Sequence, residues 1–213
     1  MLESTRKAPT TTNPPPAISG FNHIKRSWDP TRKIFIARIM PGEVYVTRTH
    51  ELISTLLGSC IAVCMLDKVN KIGGMNHFML PAGANPKAAQ ENANYGLYAM
   101  ELLINSIMKN GGQRQHLEAK VFGGGNVLKG VNSNVGGKNI EFVTTFLRQE
   151  RIPILSQNTG ASCAQQVYYH PLSGDAFAIL QEQASAPQIK AAEKAYHDKI
   201  NKEIEESSIT FFD

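Results

Sequence analysis

A cysteine and a histidine within reach of each other are the smallest set of side chains that can run thiol catalysis. The imidazole takes the thiol proton as sulfur attacks a carbonyl carbon, then returns it to a departing amine. In this chain Cys60 closes a Gly58-Ser59-Cys60 turn, and His77 follows seventeen residues later. Apolar runs at 60–66 and 72–80 flank the polar break Asp67-Lys68-Val69-Asn70-Lys71. Paired as an antiparallel hairpin about that break, they put Cys60 opposite a residue close to His77. Directly opposed side chains sit about 4.5–5.5 Å apart at Cβ, and diagonal neighbours stay within reach of long side chains. The spacing therefore permits a Cys-His dyad. The plainer reading is a core thiol and a satisfied strand histidine, since free cysteine is among the most buried residue types.

The flanking residues add chemistry to the pair. Gly58 lets the backbone turn sharply before Ser59, so that successive N–H groups can converge beside the thiol and hold a developing oxyanion; a simple bend at a strand end is the alternative. Ser54 and Thr55 lie just upstream, where a hydroxyl can orient the histidine as the third member of a triad. Cys64 is expected to be a core thiol. Four residues of strand span roughly 13 Å, which separates it from Cys60 both as a co-ligand of a metal and as a disulfide partner. No Cys or His spacing typical of zinc is present, so no metal and no cofactor are expected. Gly123-Gly124-Gly125-Asn126-Val127-Leu128 has leucine where a dinucleotide fingerprint needs its third glycine, and Gly136-Gly137-Lys138-Asn139 lacks the hydroxyl residue of a phosphate loop. These glycines are read instead as close backbone packing around the thiol.

The elements that must position these groups are short strands and two amphipathic helices. β patterns run through 34–39, 43–48 and 52–57, then the hairpin, then 119–122, a strand beginning at 152–155, and a second hairpin at 166–170 and 176–180. Residues 81–94 read as a polar loop. Leu97, Met100, Leu103, Ile104 and Ile107 recur at helical spacing up to Asn110-Gly111-Gly112, and a second helix is expected over about 138–150. Strands that precede, interrupt and follow helices predict an α+β domain over 34–186. Residues 1–33, rich in Pro and Thr, are expected to form a flexible basic extension, with Trp28 pinning its end, and 187–213 a charged C-terminal helix and tail.

Composition narrows the class further. The formal net charge is +4, and residues 1–33 carry all of it, with six basic side chains against two acidic ones. The body is therefore neutral, and no nucleic-acid partner is expected. Three cysteines are too few for a disulfide framework and suit a reducing compartment. No run approaches the roughly 20 apolar residues of a spanning helix, and the first residues lack the apolar segment of a secretory signal. A cytoplasmic protein without membrane insertion is expected.

Taken together, L-L-G-S-C-I-A-V-C, G-G-M-N-H-F-M-L-P, N-Y-G-L-Y-A-M-E-L-L-I-N, L-E-A-K-V-F-G-G-G-N-V-L, N-I-E-F-V and V-Y-Y-H-P-L-S-G, in order over about 34–180, resemble the chemoreceptor glutamine deamidase family, CheD. The resemblance implies a three-layer α/β/α sandwich with a mixed, largely antiparallel sheet. It implies hydrolysis of selected glutamine side chains on methyl-accepting chemotaxis receptors to glutamate and ammonia, and a CheC-type phosphatase that competes with those receptors. The family's nucleophile falls on Cys60 and its histidine on His77. Its third residue falls on Ser54 by gapless counting, with Thr55 one place later, so either position keeps a hydroxyl. The competing readings are a non-catalytic adaptor for receptors and phosphatase, and a thiol protease or transglutaminase sharing the dyad.

Overall fold

The computed structural model describes residues 13–80, 86–126, 134–181, 191, 193–196, 198–200 and 202. The β patterns become ten strands: β1 (Lys25–Asp29), β2 (Ile34–Arg38), β3 (Val44–Thr47), β4 (Glu51–Leu57), β5 (Ile61–Asp67), β6 (Ile72–Phe78), β7 (Leu117–Gly123), β8 (Ile154–Thr159), β9 (Ala164–Tyr169) and β10 (Ala176–Gln181). Among the described residues the longer helices are α1 (Pro86–Lys109) and α2 (Val135–Gln149), with further helical residues at 191, 193–196, 198–200 and 202. An α+β fold with mixed, largely antiparallel pairing follows, as the sequence leads one to expect. The pairing is divided between two five-stranded sheets, ordered β1-β2-β4-β9-β10 and β3-β6-β5-β7-β8. Among the described residues only β2 with β4 and β7 with β8 run parallel.

β5 shows why its sequence reads as an unbroken apolar run. Ile61, Val63 and Met65 face α1 and α2, joining Met100, Leu103, Ile104, Ile107, Val143, Phe146 and Leu147 in one core cluster. Ala62 and Cys64 face the other way, into a second cluster where Tyr45, Met75 and Phe122 meet Ala37, Ile39, Ile53, Leu57, Val167 and Tyr169 of the first sheet. These contacts run helix, sheet and sheet, where the resemblance implies helices on both faces of a single sheet. Each large apolar side chain fully buried in these layers contributes about 1.5–3 kcal/mol.

Two expectations of unstructured chain are corrected. Residues 25–29, placed in the flexible extension, form β1 against β2. Arg26 there supplies the counter-charge to the fully buried Glu51 at 2.8 Å, which Tyr45 and Thr47 also hold through hydroxyl donors. A buried carboxylate needs such partners. Trp28 packs edge-on against Phe35, with centroids 5.2 Å apart. Residues 86–94, read as loop, already belong to α1. Their alanines carry helix propensity without an apolar stripe, and Pro86 suits a first helical position. Residues 1–12 and 81–85, and most of the expected C-terminal tail, lie outside the described residues.

Candidate active site

The hairpin forms with the register Ile61↔Phe78, Ala62↔His77 and Val63↔Asn76 about a turn at 68–71. His77 therefore lies on the face of Ala62 and Cys64, between Met75 and Met79 of the inter-sheet core. Cys60, one residue before β5, belongs to the same cluster. Thiol and imidazole are diagonal neighbours on one buried face, 1% and 2% exposed.

The opposite sheet supplies the ring's partner. Thr55 Oγ1, on β4, lies 2.7 Å from His77 Nδ1 and donates its own hydrogen to the Ile39 carbonyl at 2.8 Å. A hydroxyl has one hydrogen to give. With that hydrogen on Ile39, Thr55 can only accept from the ring, so Nδ1 carries the imidazole proton and Nε2 the lone pair. Nε2 is fully buried, with no hydrogen-bond partner among the described residues. Burial without a counter-charge lowers the His77 pKa to about 3, so the ring is neutral near pH 7. Of the two candidate hydroxyls, Thr55 contacts the ring. Ser54 Oγ instead accepts from Gln166 Nε2 at 2.6 Å.

The Gly58-Ser59-Cys60 turn is held from outside its own strand. Gly124 N–H donates to the Cys60 carbonyl at 2.7 Å and Gly125 N–H to the Gly58 carbonyl at 2.8 Å. Gly123 stands at φ +101°, where a Cβ would lie 2.1 Å from the Cys60 carbonyl oxygen, so this approach requires glycine. The glycine cluster thus packs backbone against the thiol turn, as its sequence suggests. From α2, Asn139 donates from Nδ2 to the Ser59 carbonyl at 2.8 Å and accepts from Leu80 N–H at 2.9 Å. The Ser59 carbonyl and the Cys60 N–H are two ends of one planar peptide. Fixing the first aims the second.

Those amides converge. Ser59 N–H and Cys60 N–H both point to Glu193 Oε1, at 2.7 and 3.3 Å, and the Ser59 hydroxyl donates to Oε2 at 3.0 Å. The turn is therefore a working anion receptor made of main-chain donors. Burial first, and then the adjacent Glu193 carboxylate, push the Cys60 thiol well above its ordinary value. A cleft of about 370 Å³ opens beside the ring, lined by Arg38, Met40, Thr55, His77, Gln166 and Glu193. Cys64 lies apart, 3.5 Å from Met75 Sδ and 1% exposed. The contacts of Asn139, Gln166 and Glu193 are not legible in the sequence, because each acts on residues about 80 to 134 positions away. Among the described residues no three His, Cys, Asp or Glu side chains converge as metal ligands do.

Comparison with known proteins agrees with the sequence resemblance. The family model described as CheD chemotactic sensory transduction matches residues 79–178. A probable chemoreceptor glutamine deamidase CheD of Halorhodospira halophila is 46% identical over 168 residues, 76% of this chain and 77% of that one. The protein of the same description from Saccharophagus degradans is 41% identical over 192 residues, 87% of this chain and 88% of its own. A span that long includes Cys60 and His77 wherever it begins. A solved structure, the hypothetical protein YfiH of Bacillus licheniformis, aligns with a TM-score of 0.36 at 13% identity over 56% of this chain and 51% of that one. At that score it bears on neither fold nor function. On the strength of the curated relatives, this chain belongs to the CheD family.

Proposed function

We propose that this protein is a chemoreceptor glutamine deamidase acting through the Cys60 thiol. Relatives covering most of the chain carry that activity in their names. What supports the thiol reading is one observation: Thr55 and the Ile39 carbonyl set the His77 tautomer, leaving a bare Nε2 lone pair on the face that Cys60 shares. As sulfur attacks the side-chain carboxamide carbon of a receptor glutamine, the thiol proton passes to Nε2. The Nδ1–H to Thr55 bond steadies the imidazolium. The oxyanion takes the Ser59 and Cys60 amides. His77 then protonates the amine, the C–N bond breaks and ammonia leaves. Water adds to the thioester, giving up a proton to His77, and the S–C bond breaks to yield glutamate and the restored thiol.

Burial favours the neutral form of both groups, so proton transfer to the ring accompanies sulfur attack. In this reading the protein works in the cytoplasm, beside the helical region of methyl-accepting receptors. No helix among the described residues is long and apolar enough to cross a membrane. A CheC-type phosphatase is the second partner in this reading. Co-expression with a receptor should raise the mass of selected receptor glutamines by about 1 Da each, the exchange of amide for acid. The Cys60→Ala variant should bind the receptor and leave that mass unchanged. A mass gain in that variant would overturn the thiol mechanism, and binding without a gain from the wild type would favour an adaptor.

A further inference from the structure

The ligand in the amide receptor belongs to the chain itself. Residues 193–196 and 198–200 are helical, and Glu193, Tyr196 and Ile200 fall at i, i+3 and i+7 on one face. Tyr196 and Ile200 are 7% and 1% exposed in the inter-sheet core, and the Tyr196 hydroxyl bonds that of Tyr95 on α1. At Gly42 a Cβ would lie 2.6 Å from the Tyr196 ring, so the segment sits flush against the chain before β3. The charged C-terminal helix expected from the sequence is docked here on its own domain. Its carboxylate takes the Ser59 N–H, the Cys60 N–H and the Ser59 hydroxyl of the Gly58-Ser59-Cys60 turn.

A glutamate side chain projecting from a helix into the oxyanion amides is the arrangement that deamidation of a helix-borne glutamine leaves behind. We propose that the C-terminal helical segment is a tethered product analogue, with Glu193 holding the place of the receptor glutamate, and that a substrate helix must displace it before Cys60 can act. This rests on the deamidase reading above. A tethered occupant competes at an effective concentration on the order of millimolar, so modest intrinsic affinity keeps the site closed. The substrate's apparent affinity falls by the fraction of molecules that are open. Glu193 also sets the chemistry of the substrate subsite: a side chain of glutamine length on a helix, reaching the amides past the Ser59 hydroxyl.

The test turns the analogue into a substrate. In full-length Glu193→Gln, Cys60 faces a carboxamide with His77 beside it, and the same attack, loss of ammonia and hydrolysis return Glu193. The peptide carrying residue 193 should gain about 1 Da at a rate independent of protein concentration, and should keep its amide in the Cys60→Ala, Glu193→Gln double variant. Persistence of the introduced amide, while the wild type deamidates a receptor fragment, overturns the analogue and spares the function. Conversion of that amide beside a wild type inactive on the fragment supports the analogue and removes the receptor as substrate. Failure of both overturns both. Separately, Glu193→Ala should raise kcat/KM on the receptor fragment about tenfold or more. A fall in kcat/KM there would make Glu193 part of the machinery and overturn the proposal.

Discussion

Cys60 and Cys64 make a natural comparison, four residues apart on one face and both 1% exposed. Burial raises the pKa of both thiols. Their neighbours differ. Cys64 faces the Met75 thioether at 3.5 Å. Cys60 has the bare Nε2 of His77 on its face, its own N–H in a converging pair of amides, and a carboxylate within that pair. Depth in the core says nothing about reactivity here; the polar groups drawn in from the other sheet, from α2 and from the C-terminal segment do.

The sharpest way to break the comparison, after removal of Cys60 itself, is through the ring. Thr55→Val deletes the acceptor of Nδ1–H while keeping the shape, so both tautomers become available and the imidazolium loses its support. Ammonia release should fall about 10²-fold at unchanged KM. An unaffected kcat would detach Thr55 from catalysis. Stability against pH comes next in size. The His77 pKa is depressed to about 3 in the folded chain, so its contribution is intact above the unfolded value and is lost as pH falls toward 3. From about pH 6.5 to about pH 4.5 the wild type should lose up to about 1.4 kcal/mol per pH unit that His77→Gln does not, measured by urea unfolding. Parallel pH profiles would mean that the ring is solvated. The smallest effect belongs to the control: Cys64→Ala should cost about 1 kcal/mol of stability and leave kcat unchanged.

The sequence spoke clearly about the hairpin half of this comparison. A polar break between two apolar runs permits a hairpin that puts His77 near Cys60, and the four-residue spacing leaves Cys64 as a core thiol. It spoke less about everything that closes on the turn. Asn139 is a polar residue with no evident partner on an amphipathic helix until α2 brings it to the Ser59 carbonyl. Glu193 reads as one charge among many on a solvated helix, and only tertiary contact across 134 positions turns it into the turn's ligand. The division into two sheets was hidden for a related reason. Strands buried on both faces look alike whether helices or a second sheet cover them. Choosing between Ser54 and Thr55 needed the pleat of β4, since adjacent strand residues point to opposite faces.

The bond from Thr55 to the Ile39 carbonyl gives the hydrogen-bond relay to His77 a direction that drift finds hard to reverse. Its first member is a main-chain oxygen, which every amino acid would supply at position 39, and Ile39 N–H is itself tied to the Ser54 carbonyl at 3.0 Å. Inheritance can therefore change the relay's polarity at only two places, the hydroxyl and the ring. Serine in place of Thr55 would preserve that polarity, because it too has a single proton to spend.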